Sequence, residues 1–217
     1  MKGRVATREV AWIFPLLFAC SGSPSESPDA TRPWARYAIA PGEHTAHVFD
    51  AVPKNPIQGL TDAVGRDYEL VLDPTAIYTL DLPTEPNDQL DWNKLPGLSD
   101  CDEIDLSRDG AMFGWRWRPD LAVLEVAAYA NNAGVHLTSD VLFTLDAADL
   151  EARAPIRYRV WREAGSYGFE ARGRVVMLPR RCAGAPLDPS AWAGAFYFGG
   201  TSTAPHEITA QIRERAF

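Results

Sequence analysis

The residues with the most chemical potential are arginines and aromatics set at alternate positions. Arg116 and Arg118 flank Trp117, and Arg157 and Arg159 lead into Trp161. A period of two puts each set on one face of a strand. A guanidinium grips a carboxylate or sulfate through two parallel hydrogen bonds, and an exposed indole gives a sugar ring a flat surface to stack on. Trp92, Tyr197 and His206 are the other groups expected to line a cleft. Together Trp92, Arg116, Arg118, Arg157, Arg159, Trp161, Tyr197 and His206 form a candidate ligand-binding site for an acidic glycan, a groove on a concave sheet. The competing reading is cross-strand pairing of the arginines with Glu125, Glu163 or Glu170, which sheets use routinely.

A second cluster is acidic. Asp100, Asp102, Glu103, Asp105 and Asp109 follow one another closely. Hard oxygen donors suit a structural Ca²⁺ ion, with Asp100, Asp102 and Asp105 as its ligands, although the EF-hand pattern fails for want of a glycine at its sixth position. A solvated acidic loop is the alternative. His44, His47, His136 and His206 show no HxxxH or HExxH spacing, so a zinc hydrolase is poorly supported. No Gly-x-Ser-x-Gly, P-loop or dinucleotide-binding motif occurs. No catalytic residue and no other cofactor follow from the sequence.

The elements that must position these groups are strands. Period-two alternation runs through 68–72, 78–82, 113–117, 156–160, 167–171 and 208–212. An apolar run at 121–129, one or two strands in 135–145 and a strand at 195–198 complete the set. Arg172-Gly173 reads as a hairpin turn. Helix is expected only near 147–153 and 57–65. Many short strands separated by turn residues predict a sandwich or barrel.

The whole chain is 217 residues, 46% hydrophobic, with a net charge of −8. Those values exclude wholesale disorder, and no apolar run reaches the roughly 18 residues of a membrane-spanning helix. The acidic balance argues against nucleic acid as a partner. Charge is uneven: residues 43–109 hold 15 acids and 4 bases, whereas 110–217 hold 11 acids and 12 bases, all of them arginine.

Lys2, Arg4 and Arg8 precede a short apolar stretch that ends in Leu17-Phe18-Ala19-Cys20. This is similar to the lipobox of bacterial lipoproteins. The resemblance implies a signal peptide over 1–19, lipidation of Cys20, and a protein held on the membrane of the cell envelope by its acyl chains. Ser21 in place of Asp points to the outer membrane. Ser, Pro and Glu make 20–36 a disordered tether, and 37–217 is left as one β domain. With Cys20 lipidated, Cys101 and Cys182 remain, and an oxidising compartment predicts that they pair.

The run from Ile156 to Arg174, with its aromatic alternation and Gly173, is similar to the hairpin of concanavalin-like and laminin-G-like jelly rolls. Asp91 to Cys101, Phe113 to Trp117, Leu178 to Cys182, and Tyr197 to Gly200 with Ala204 to Ile208 resemble blocks that recur in bacterial lipoproteins to which no chemistry is attached. The resemblance covers about residues 68–213 and implies an all-β jelly-roll sandwich. Laminarinase-type β-glucanases of that fold carry Glu-x-Asp-x-Glu or Glu-x-Asp-x-x-Glu. Glu103 and Asp105 match the first two places, but Ser107 and Arg108 stand where the second carboxylate belongs, so the pair a retaining glycosidase needs is absent. The expectation is therefore a non-catalytic, carbohydrate-binding envelope lipoprotein. A polysaccharide lyase or hydrolase built on arginine, His206 and Tyr197, and a structural envelope component, are the alternatives. A lyase requires Arg116, Tyr197 and His206 in one cleft.

Overall fold

The computed structural model describes residues 33–48, 58–59, 64–101, 105–182, 192–193 and 196–215. The expected signal peptide over 1–19, Cys20 and most of the expected tether lie outside the described residues. Fourteen strands form in chain order: β1 Ala35–Ile39, β2 His47–Val48, β3 Gln58–Gly59, β4 Gly65–Leu72, β5 Asn93–Lys94, β6 Leu98–Ser99, β7 Gly110–Arg118, β8 Val123–Asn132, β9 Val135–Leu145, β10 Ile156–Arg162, β11 Ser166–Ala171, β12 Arg174–Pro179, β13 Trp192–Ala193 and β14 Ile208–Arg215. The first sheet has the order β12-β11-β10-β4-β14-β1-β2. The second has the order β3-β13-β6-β7-β8-β9, with β5 also paired to β7. All pairings are antiparallel, and the architecture is a jelly-roll β-sandwich.

Alternation sets which residues face inward. Tyr68, Leu70, Tyr158, Val160, Phe169 and Ile212 from the first sheet meet Phe113, Trp115, Trp117, Leu124, Val126 and Ala128 from the second. The Phe113 ring lies 5.1 Å from Tyr158 and 5.5 Å from Phe169, edge to face in both cases. β8 is buried on both faces, which is why its sequence reads as an unbroken apolar run.

Hairpin chemistry follows the expected rule. Ala133-Gly134 and Arg172-Gly173 each link adjacent strands as two-residue loops with positive φ at both positions, as a type I′ turn demands. The one α-helix among the described residues, α1, spans Ala147–Ala152. Asp146 and Asp149 cap it reciprocally.

Several expectations need correction. Residues 78–82 are not a strand: the Leu80 N–H donates to the Gln89 side chain, and Leu82, before Pro83, is 95% exposed. Tyr78 alone keeps its inward place, its hydroxyl accepting from Asn93. Gln58–Gly59, within the stretch expected to be helical, is a strand paired with β13. Of 195–198, the described residues are 196–198, and among them only Tyr197 makes bridges, to Thr45 and Lys94. β1 begins at Ala35, two residues ahead of the boundary read from composition.

Cys101 and Cys182 form the expected disulfide, with Cα atoms 5.9 Å apart. Beside it the buried Asp100 carboxylate accepts from Arg162, Arg180 and the Tyr167 hydroxyl, tying β6 to the first sheet. Two guanidiniums engage both oxygens of Asp100, which was expected from sequence as a calcium ligand. Asp102 and Glu103 lie outside the described residues. Asp105 sits in a turn and accepts from the Ser107 N–H.

Candidate functional site: the outer face of the second sheet

The arginines and aromatics expected to form one groove lie on opposite faces of the sandwich. Phe113, Trp115 and Trp117 are core, so Arg116 and Arg118 project from the outer face of the second sheet. Ile156, Tyr158 and Val160 are core, so Arg157, Arg159 and Trp161 project from the outer face of the first. His206 joins neither set: its Nε2 lies 2.9 Å from the Thr75 carbonyl, in the loop that follows β4. Arg116, Tyr197 and His206 are thus held by separate partners: Leu90 and Glu125, Lys94 and His44, and Thr75.

Cross-strand pairing engages the arginines. Arg116 donates to Glu125 at 2.8 Å and to the Leu90 carbonyl at 2.8 Å. Arg118 holds Asp120 and Glu125. Arg159 pairs with Glu170 at 3.2 Å, and Arg157 grips the buried Asp67 rather than a glutamate. The Trp161 Nε1–H donates to Glu163 at 2.7 Å.

Around Lys94 the second sheet assembles a site of its own. β5 pairs with β7, setting Lys94 opposite Gly114 and Asn93 opposite Trp115. Asn93 therefore turns into the core, and Trp92 and Lys94 turn outward. The Trp92 indole covers Gly114, where a Cβ would stand 3.0 Å from the ring. The Arg116 guanidinium stacks on that indole at 4.1 Å. Lys94 Nζ donates to the Trp92 carbonyl at 2.6 Å and lies 5.0 Å from the Tyr129 ring centre and 6.0 Å from that of Tyr197. Tyr197 is fixed by reciprocal backbone hydrogen bonds with Lys94, and its ring stacks on His44 at 5.5 Å. His136 lies 5.8 Å from Tyr129. The segment after Tyr197 is pinned from beneath: Asn93 accepts from the Gly199 N–H, and Asp88 accepts from Thr201 and Ser202.

Burial perturbs this group in a consistent direction. Loss of water lowers Lys94 to about 8, against the partial opposition of Asp91. Burial and the Asp91 charge push Tyr129 up to about 12, and burial with the Asp105 charge raises Tyr197. Asp91 is raised by burial and by the neighbouring Asp88 charge. Both phenols hold their protons at neutral pH, so the site groups an ammonium and two neutral phenol rings with a stacked indole and guanidinium.

Of this set only Trp92, Arg116 and Tyr197 were legible in sequence. Lys94, Tyr129, His44, His136 and Asp91 were missed. One signal was available: the chain has only three lysines, Lys2, Lys54 and Lys94, amid many arginines.

No protein-family model matches the sequence, and no curated protein matches it. Several solved structures are similar to it at low identity. An alginate lyase from Pseudomonas aeruginosa is 13% identical, with a TM-score of 0.44 over 79% of this chain and 71% of that one. An alginate lyase from a Chlorella virus is 10% identical, with a TM-score of 0.39 over 86% and 87%. A carbohydrate-binding module from Bacillus subtilis is 8% identical, with a TM-score of 0.32 over 84% and 92%. At these values none bears on function.

Proposed function

We propose that this chain is an envelope lipoprotein, anchored through Cys20, whose second sheet binds an acidic carbohydrate without cleaving it. The observation that carries the reading is the Lys94 ammonium, bonded to the Trp92 carbonyl and set between Tyr129 and Tyr197 next to the Trp92–Arg116 stack. A carboxylate on a sugar would complete the coordination of Lys94, and the indole and phenols would meet the ring and its hydroxyls. Raised phenol pKa values favour binding over elimination, because a proton-abstracting tyrosine must be poised to lose its own proton.

The test is binding of the purified protein to polyuronate and to a neutral glucan of similar length. Selective retention of the polyuronate, lost in Lys94→Met, is expected. Equal affinity for both polymers, or an unchanged Lys94→Met variant, would overturn the reading. A second reading, eliminative cleavage of a polyuronate, is favoured by the two histidines that contact the two phenols. Appearance of the unsaturated uronate chromophore on incubation with the protein, and its loss in Tyr197→Phe, would establish that reading in place of simple binding. Anchoring is checked by incorporation of labelled palmitate, which Cys20→Ala should abolish.

A further inference from the structure

The outer face of the first sheet carries the second half of the expected arginine and aromatic set, turned away from Lys94. Register places Trp161, Gly168 and Met177 in one row across β10, β11 and β12. A Cβ at Gly168 would overlap the Trp161 six-membered ring, so the indole lies flat on the β11 backbone with its other face turned outward. Glu163 accepts from its Nε1 and fixes its rotation. The next row, one strand repeat or about 7 Å along, sets Arg159 beside Glu170, with Arg157 on Asp67 behind it. There Pro155, Arg157, Arg159, Glu170, Arg172 and Gly173 bound a depression of about 230 Å³.

We propose that this depression and the Trp161 platform are a second carbohydrate site, so that one molecule holds two acidic glycan chains on opposite faces. It rests on the reading of the protein as a binder of acidic carbohydrate. A pyranose has an apolar C–H face and a rim of hydroxyls. A pinned, partly exposed indole takes the first, and carboxylates and guanidiniums one strand repeat away take the second. Three arginines against Glu170 and Asp67 leave the depression with a net positive charge in an acidic protein, which selects a sugar bearing a carboxylate or sulfate.

The purified protein, labelled with ¹⁵N at its tryptophan indoles, is titrated with a short oligouronate and then mixed with long polyuronate. The Trp92 and Trp161 indole resonances, identified with Trp161→Phe and Trp92→Phe, should both move and saturate independently, and the long polymer should be cross-linked into turbid aggregates. Trp161→Ala should abolish the turbidity and weaken the first-sheet site at least tenfold while the Trp92 response persists. Trp161→Phe, which keeps a flat ring and the fold, should retain most of it. Movement of Trp92 alone would overturn the second site and leave the Lys94 reading standing. Movement of Trp161 alone would uphold the second site and overturn the Lys94 reading. Movement of neither would overturn both.

Discussion

Lys94 differs from an ordinary surface lysine in what surrounds its charge. Two phenol rings and the Trp92 carbonyl replace most of its water, and the penalty on the ammonium lowers it to about 8. Only the protonated form attracts an anion. Affinity for an acidic oligosaccharide should therefore hold steady below pH 7 and fall as pH rises through about 8, approaching tenfold per unit at the alkaline end. Lys94→Arg, which stays charged throughout, should flatten that decline. Calorimetric titrations between pH 6 and 10 test this, and a level wild-type profile would remove Lys94 from the site. Asp100 makes the opposite case at a structural position. Burial opposes its charge, but hydrogen bonds from Arg180, the Cys101 N–H and Tyr167 outweigh that and hold its pKa below the usual carboxylate value. A lowered folded pKa contributes stability that is present in full above the unfolded value near 4 and is lost as pH falls through the folded one. Asp100→Asn leaves two buried guanidiniums without their counter-charge and should cost about 3 kcal/mol in urea unfolding at pH 7, less at pH 3. Neither role was legible in sequence. Asp100 looks like one acid among five, and Lys94 gains meaning only when β5 pairs with β7.

The strands themselves were legible wherever one face is core and the other is wet. β10, with Ile156, Tyr158 and Val160 inward, is the plainest case. Alternation misled at Tyr78, Leu80 and Leu82, where a loop places a single tyrosine in the core while Pro83 and the Gln89 side chain displace any ladder. The short strands β5 and β6 carry no pattern at all, and they are the ones that position Trp92 and Lys94. Between them stands Gly97, where a Cβ would overlap the Ala111 carbonyl oxygen and stand 2.7 Å from Met112 Cα. Gly97→Ala should push β6 away from β7, cost about 3 kcal/mol and lower Tm by roughly 10 °C. Gly134, in the β8–β9 turn, has open space around it, and there only the positive φ of +78° resists a side chain. Gly134→Ala should cost about 1 kcal/mol. A larger loss at Gly134 than at Gly97 would contradict the close packing of β6 on β7.

At the scale of the molecule, the Cys101–Cys182 bond spans 81 residues and links the loop after β6 to the end of β12. Closing a loop of that length restricts the unfolded chain by about 4 kcal/mol in the chain-entropy model. Replacing both cysteines by alanine should lower the urea midpoint correspondingly without changing the fold at 25 °C, as followed by circular dichroism. The pairing was legible from three cysteines once one was assigned to lipid. That the arginine and aromatic set divides between two faces was not, because alternation tells which residues share a strand face but not which sheet the strand joins. β14 lies between β4 and β1, both made long before it. Until that segment leaves the ribosome, the first sheet is two pieces with facing raw edges, each open to pairing with another chain. The order of synthesis thus holds back completion of the first sheet until β14 has been made.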